Sequence, residues 1–362
     1  MTTIGVIGAG QLGQMLGNAG QSLGLEFVFL DPADKPPAAS VGTVLKFAFD
    51  SKEGLQKLAD ASDFITYEFE NVPVDAIESL APGTLVYPPA TALEHAQDRL
   101  TEKNLFTSLS IPVAGFHAVD SAADLEAACA ALGLPIVLKT RRLGYDGKGQ
   151  YVLRDVADVD QAIAELGGDN LIAEQWIAFD REVSAIGVRN VDGDIVVYPL
   201  TENEHQNGIL AVSRAPTAAE NLAATATEYL RRLLEHLDYV GVLALELFVV
   251  GDQLLANEFA PRVHNSGHWT IEGSQTSQFE NHLRAILNMP LGGTSMQGEA
   301  GMLNLIGQMP PAAEIFGTEG CYLHNYGKEP RPGRKLGHVT TIRNSPAERD
   351  AALLELAKYL KI

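Results

Sequence analysis

The sequence predicts an α/β protein made of a parallel sheet with crossover helices, a larger mixed α+β region, and a small, mostly β tail. Residues 4–31 carry the first part of this reading. Ile4-Gly-Val-Ile is a short buried-strand run, Gly8-Ala-Gly-Gln-Leu-Gly13 a turn opening a helix, and Phe27-Val-Phe-Leu30 a second strand ending at Asp31. The alternation continues through Phe64-Ile-Thr-Tyr67 and Leu85-Val-Tyr87, as parallel strands joined by helices require. Length supplies the rest: 362 residues suggest two or three domains at about 150 residues each.

After Pro88-Pro89 punctuates the chain, Thr91 can cap a helix with Glu94 three residues later, a capping-box spacing. A second region starts near Asp98, with a helix at 98–109, a helical stretch at 121–132 and the strand Ile136-Val-Leu-Lys139. A basic glycine loop at 141–150 and the strand Tyr151-Val-Leu153 follow. Pro290-Leu-Gly-Gly-Thr294 reads as a linker, and the tail reads as loops and short strands ending in a helix at 346–360.

Composition removes several classes of function. Apolar residues make up 46% and charged ones 20%, which excludes disordered and fibrous chains. A net charge of −20 repels polyphosphate backbones and anionic lipid, so nucleic-acid and membrane partners are not expected. Any phosphate ligand must be held by a local concentration of cations and backbone N–H groups. Cys129 and Cys321 are too few for a disulfide framework and are not spaced as a metal site. The longest apolar stretch, Val240 to Val250, is short and carries Glu246, and no Lys or Arg precedes Lys35. The expectation is a soluble protein of a reducing cytoplasm.

Gly8-x-Gly10-x-x-Gly13, with Asp31 eighteen residues beyond, matches a dinucleotide fingerprint and admits an NAD-linked oxidoreductase. It also admits plain tight strand-to-helix packing, or a different phosphate at the same helix N-terminus. Nothing after residue 31 offers a clear hydride-transfer site. The second region points elsewhere: Lys139, Arg141, Arg142 and Lys148 place four cations among three glycines between residues 139 and 150. Glycines let backbone N–H groups approach phosphate oxygens, and a solvated hairpin tip is the plainer alternative.

Val242 to Val250 is an apolar strand holding one carboxylate, and Gly251-Asp252 turns it into Leu254-Leu-Ala-Asn-Glu258-Phe. A three-residue loop would set Glu246 opposite Glu258; a two-residue loop would set it opposite Asn257. Two opposed acids repel unless a cation or a shared proton lies between them, and Mg2+ is the natural hard cation beside a nucleotide phosphate. Two unrelated surface acids would fit poorly with the apolar neighbours of Glu246. Glu174-Gln-Trp-Ile177, leading to Arg181-Glu182, has groups able to read an adenine edge or ribose hydroxyls.

Lys139, the loop GYDGKGQ (144–150), Glu174 to Ile177, Glu182 and the Glu246/Glu258 pair together resemble the ATP-grasp superfamily. The segments GAGQLG (8–13), DRLTEK (98–103), EFAPRVHNSGHWT (258–270) and RPGRKLGH (331–338) are similar to the 5-(carboxyamino)imidazole ribonucleotide synthase family of purine biosynthesis. The likeness runs in order through essentially the whole chain. It implies a Rossmann-like domain at 1–97, a two-lobed ATP-grasp domain at 98–290 and a C-terminal domain at 291–362.

The resemblance also implies an ATP site. Arg99, Lys139 and the loop Gly144, Tyr145, Asp146, Gly147, Lys148, Gly149 and Gln150 would hold the phosphates. Glu174, Gln175, Trp176 and Ile177 would line the adenine and Glu182 the ribose, with His205, Asn257 and Glu258 completing the pocket. Glu246 and Glu258 would ligate Mg2+, while Ala260 stands where many ATP-grasp enzymes carry a third, asparagine ligand. Arg262, His264 and Lys335 would serve catalysis. Glu68, Tyr145, Asp146, Asn265, Ser266, Arg334 and Lys335 would bind aminoimidazole ribonucleotide, whose phosphate suits the cluster of Arg331, Arg334 and Lys335.

His264 and His268 stand at i, i+4, but Ser266-Gly267 between them argues against a helical zinc pair. The implied reaction makes carboxyphosphate from bicarbonate and ATP, then transfers the carboxyl group to the ribonucleotide amine, with the glycine loop closing over the labile intermediate. A homodimer, and a separate mutase taking the product, belong to the same expectation. Another ATP-grasp ligase, such as the formate-using glycinamide ribonucleotide transformylase, would share the nucleotide machinery.

Overall fold

The computed structural model describes residues 1–144 and 149–360. The first unit holds β1 (Thr3–Ile7), α1 (Gln11–Gln21), β2 (Glu26–Leu30), β3 (Thr43–Leu45), α2 (Lys52–Asp60), β4 (Phe64–Tyr67), α3 (Val74–Glu78) and α4 (Ala90–Ala96). Its strands lie in the order β3-β2-β1-β4, all parallel. Residues 4–7 of β1 are all buried, as expected of a strand covered on both faces.

Two expectations are corrected here. Residues 85–87 form no ladder and meet β4 at a single bridge, with the Tyr87 N–H donating to the Ile65 carbonyl at 2.8 Å. Pro88 and Pro89 follow at once and have no N–H to continue the pairing. Thr91 caps nothing: α4 begins at Ala90 behind the extended Pro89, so Thr91 already lies within the first turn.

The second unit runs α5 (Arg99–Ser108), β5 (Phe116–Val119), α6 (Ala122–Leu132), β6 (Ile136–Thr140), β7 (Gln150–Leu153), α7 (Val159–Leu166) and β8 (Leu171–Gln175). Its strands form an antiparallel sheet, β5-β8-β6-β7, closed by Leu125 and Ala128 of α6 against Leu138 and Ala173.

The remaining strands are β9 (Arg181–Arg189), β10 (Ile195–Val197), β11 (Thr201–Gln206), β12 (Ile209–Ala215), and, after α8 (Ala223–His236), β13 (Gly241–Val250) and β14 (Gln253–Ala260). Then come α9 (Thr270–Gly273), α10 (Gln278–Ile286), β15 (Glu299–Ile306), α11 (Ala312–Phe316), β16 (Cys321–Asn325), β17 (Lys335–Arg343) and α12 (Pro346–Leu356). They make one large sheet, β14-β13-β9-β11-β12-β15-β17-β16, with β10 also pairing with β9. The tail therefore contributes strands of eight and nine residues that extend the central sheet, longer than its loop-rich sequence suggests. The last helix stops at Leu356, and a 3-10 turn carries the chain to Tyr359.

Alternation along β13 explains how this sheet is covered. Leu243, Leu245 and Leu247 face α8, packing on Leu230, Leu233 and Leu234. Val242 and Ala244 face the opposite layer, where Phe279 and Leu283 of α10 meet Met15 and Leu16 of α1. His282 of α10 pins the first unit to this layer: its Nε2 meets the Thr66 hydroxyl at 2.8 Å, and its Nδ1 accepts the Val242 N–H at 3.1 Å. Burial pushes this imidazole down to about 4.

The β13–β14 hairpin settles a question left open by the sequence. Its loop is the two-residue Gly251-Asp252, with Val250 paired to Gln253, which by simple counting would set Glu246 against Asn257. A β-bulge shifts the register beyond Leu247–Ala256, leaves Asn257 without a cross-strand partner, and pairs Glu246 with Glu258.

Candidate active site

A cleft of about 500 Å³ opens between the small sheet, the large sheet and the N-terminus of α1. Its floor comes from β13, β9, β11 and β14. Because β13 alternates, Glu246 and Phe248 look into the cleft while Leu245 and Leu247 look away. Glu182, opposite Phe248, forms an ion pair with His205 on the neighbouring β11. On β14, Leu254, Ala256 and Phe259 all sit in the α8 core, a spacing no regular strand allows. Strict alternation would bury Glu258 there with Leu254 and Ala256; the extra residue turns it to the cleft instead.

The facing acids dominate the electrostatics. Burial, and then the charge of Glu258, push the Glu246 carboxyl up to about 7. Arg99 Nη1 donates to Glu258 Oε2 at 3.0 Å and its Nη2 to the Gly144 carbonyl at 3.1 Å. His264 Nε2 lies 3.2 Å from Glu246 Oε1. Burial and the charges of Arg262 and Lys335 hold His264 well below the usual histidine range, so the ring beside Glu246 is neutral and the contact is not an ion pair.

A chain of donors explains which nitrogen carries the proton. Ser213 donates to Asn203 at 2.8 Å, Asn203 to Ser184 at 3.1 Å, and Ser184 to Ser266 at 2.7 Å. The Ser266 hydroxyl is thus left to donate to His264 Nδ1 at 2.8 Å, which leaves the hydrogen on Nε2. Ser266 is fully buried, so the structure places it behind His264 rather than on the cleft wall.

Two facing carboxylates are an all-oxygen donor set that suits a hard divalent cation. Among the described residues no group of three His, Cys, Asp or Glu side chains is arranged for a metal, so the other ligands would have to be phosphate oxygens and water.

Opposite the acids, Lys139 donates to Glu174 at 3.0 Å, and Lys103 stands 3.7 Å from the same oxygen. Burial alone would raise the Glu174 carboxyl, but the two lysines outweigh it and hold it at about 2. Glu174 is thus a buried counter-ion beneath Lys139. Gln175 pairs with Ile136, at the end of β6 away from Lys139, and Trp176 and Ile177 follow it off the cleft wall; Trp176 is 44% exposed.

Arg141 and Arg142 are both taken by Asp98, at 2.8 and 3.3 Å, and Asp98 also caps α5 through the Leu100 and Thr101 N–H groups. Gly144, Gly149 and Gln150 line the cleft beside Lys139. Tyr145, Asp146, Gly147 and Lys148 lie outside the described residues.

The third wall holds Arg262, Asn265 and Lys335. Arg262 donates to Glu70 at 2.6 Å. Asn265 exchanges amide hydrogen bonds with the buried Asn304, and Lys335 opens β17. Arg334 turns away, donating to the Glu329 carbonyl at 3.1 Å, and is not on the wall.

Several residues escaped sequence reasoning. Glu70, Tyr326 and Glu102 line the cleft. Burial and the charge of Arg334 push Lys328 down to about 8 beside Gln11. Glu102 and Lys103 stood inside the quoted DRLTEK segment, where a Glu-Lys pair on a helix reads as ordinary surface.

The first glycine turn is closed from within. Glu68 accepts the N–H groups of Gly10 and Gly13, the latter at 2.5 Å. A Cβ on Gly8 or Gly10 would come within 2.5 or 2.6 Å of Glu68, so these glycines make room for that carboxylate. Asp31 accepts the Ala9 and Ala33 N–H groups at 2.9 and 2.8 Å. The place a dinucleotide pyrophosphate would take at this helix N-terminus is already filled.

Comparison with known proteins identifies the family. Residues 1–97 match the ribonucleotide synthetase preATP-grasp domain, 104–279 the ATP-grasp domain, and 300–352 the phosphoribosylaminoimidazole carboxylase C-terminal domain. The N5-carboxyaminoimidazole ribonucleotide synthase of Pseudomonas aeruginosa is 53% identical over 358 residues, 99% of either chain. The crystal structure of the N5-carboxyaminoimidazole ribonucleotide synthetase of Thermus thermophilus superposes with a TM-score of 0.96 at 50% identity, covering 99% of both chains. An Aspergillus clavatus N5-carboxyaminoimidazole synthase, solved with ADP and 5-aminoimidazole ribonucleotide, does so at 0.92 and 29% identity over 99% of this chain and 98% of that one. The chain therefore belongs to the N5-carboxyaminoimidazole ribonucleotide synthase family of ATP-grasp ligases.

Proposed function

We propose that this protein uses ATP and bicarbonate to carboxylate the amine of 5-aminoimidazole ribonucleotide through carboxyphosphate, giving the 5-carboxyamino ribonucleotide, ADP and phosphate. One observation carries the proposal. A single cleft sets Arg99 and Lys139 over the facing Glu246 and Glu258, with Arg262, His264 and Lys335 on the adjoining wall.

The triphosphate lies along Lys139, Arg99 and the loop of residues 144–150, and the adenosine extends toward Gln175, Trp176 and Ile177, with the ribose near Glu182 and His205. Glu246 and Glu258 would hold Mg2+, which when bound would neutralise charge on the terminal phosphates. Arg262 draws in the bicarbonate anion, and Lys335 takes the phosphate of the ribonucleotide. Its oxygen attacks the γ-phosphorus, and the bridging oxygen leaves with ADP. His264, neutral beside Glu246, adds no charge of its own. The ribonucleotide amine then attacks the carboxyl carbon, phosphate departs, and the nitrogen gives up one proton. The work of the protein is positioning and charge stabilisation.

The division into units at 1–97, 98–290 and 291–362, a homodimeric state, a cytoplasmic setting and transfer of the product to a separate mutase are parts of the same reading. Sedimentation of the purified chain tests the dimer. The function is tested by phosphate release from ATP, expected only when aminoimidazole ribonucleotide and bicarbonate are both present. Release driven by formate in place of bicarbonate would assign the chain to a different ATP-grasp reaction.

A further inference from the structure

The bulge at Asn257 turns Glu258 toward Glu246, and two adjacent side chains of α5 grip the backbone around it. Lys103, 2% exposed, donates to the Asn257 carbonyl at 2.7 Å and to the Ala256 carbonyl at 3.3 Å. Glu102, also 2% exposed, accepts the Phe259 N–H at 2.7 Å. These contacts bracket Glu258 on both sides, where the shifted register leaves Asn257 without a partner on β13. Burying a lysine and a glutamate costs several kcal/mol each before their partners are counted, so apolar residues would attach α5 to β14 at lower cost. What apolar residues could not do is fix a particular set of carbonyl and N–H groups.

We propose that Glu102 and Lys103 are positioning residues for the phosphate-transfer site: together they hold the bulge, and the bulge makes the two acids face each other. Lys103 also reaches Glu174, the counter-ion of Lys139, so one side chain ties the acids of the floor to the cation above them. Without this grip the hairpin relaxes toward its two-residue-loop register, with Glu246 opposite Asn257 and Glu258 turned to the α8 side. The proposal rests on reading Glu246 and Glu258 as the metal-holding pair.

The test uses the full chain with ADP and Mn2+, following free Mn2+ by its paramagnetic resonance, alongside amide exchange over residues 254–260 and thermal melting. Lys103→Met and Glu102→Leu are expected to melt as folded proteins, to bind Mn2+ at least about tenfold more weakly, and to exchange the Phe259 amide faster. Lys103→Arg and Glu102→Gln, which keep a donor and an acceptor, are expected to recover most of the affinity. Should Lys103→Met fail to fold, Glu102→Leu and its rescue by Glu102→Gln carry the same comparison. Folded variants with the affinity and exchange of the parent protein would overturn the proposal. Glu258→Gln serves as the control. If it leaves Mn2+ binding intact, the metal reading fails by itself, and the Phe259 exchange rate still decides whether Glu102 and Lys103 hold the bulge.

Discussion

Two glycine-rich turns in this chain each follow an apolar strand, and they reach opposite ends. At Gly8–Gly13 the backbone N–H groups are met by Glu68, an acid delivered by β4 of the same sheet. Between Lys139 and Gln150, by contrast, the described residues open onto the cleft, where Lys139 stands across from Glu246 and Glu258. Glycines show only that an anion can come close. Whether that anion is a ligand depends on whether the protein already carries an acid to the spot.

The strongest way to break this contrast is at the acids. Glu246→Gln with Glu258→Gln is expected to slow ATP cleavage by about 100- to 1000-fold in a protein that still folds. Near-normal cleavage would move the nucleotide away from the second turn. Lys335→Ala tests the adjoining wall: losing one charged hydrogen-bonding group should weaken the ribonucleotide by about tenfold or more while ATP affinity changes little. Titrations of both ligands that weaken equally would dissolve that division of labour.

Glu68→Ala sharpens the contrast from the other side. Emptying the first turn should cost about 1–3 kcal/mol of stability and create an anion site at the start of α1. Sulfate should then raise the melting temperature of the variant more than that of the parent; an identical response in both would show that Glu68 does not fill the site.

A pH-dependent effect concerns the joint between the first unit and the large sheet. Unfolded, His282 takes its proton near 6.5; folded, burial delays this to about 4. Across that window the unfolded chain binds more protons. The stability owed to the neutral ring is therefore complete above pH 6.5 and fades as the pH falls toward 4, by about 1 kcal/mol per pH unit. Denaturant titrations of His282→Gln should show a shallower loss on acidification, and parallel curves would mean that the ring is not held neutral.

Much of this arrangement was readable from local pattern. The strand–turn–helix at 4–21, the apolar strand around Glu246 and the helix near 98–109 all follow from local pattern, whereas the cap expected at Thr91 does not form. Asp98 accepts from Leu100 and Thr101 as an N-cap should. What periodicity hides is long-range closure. Simple counting through the two-residue turn pairs Glu246 with Asn257; the observed pairing depends on a bulge held from α5, more than 150 residues earlier in the chain. A trace of it did exist in the sequence, since Leu254, Ala256 and Phe259 break a two-residue apolar rhythm. Glu70 and Lys328 could not be told apart from loop charges, because their partners Arg262 and Gln11 are brought to them only by folding.

The pairing of β12 with β15, and of β15 with β17, has a mechanical consequence. Lys335 and Glu246 ride on one hydrogen-bonded plane, whereas Lys139 rides on another. A displacement of the small sheet would change the span from Lys139 to the acids, whereas the span from the acids to Lys335 is set by strand pairing within one sheet. Cutting the chain in the stretch 290–294 would not free a portable module, because removing β15 would strip the outer edge of β12 of its partner.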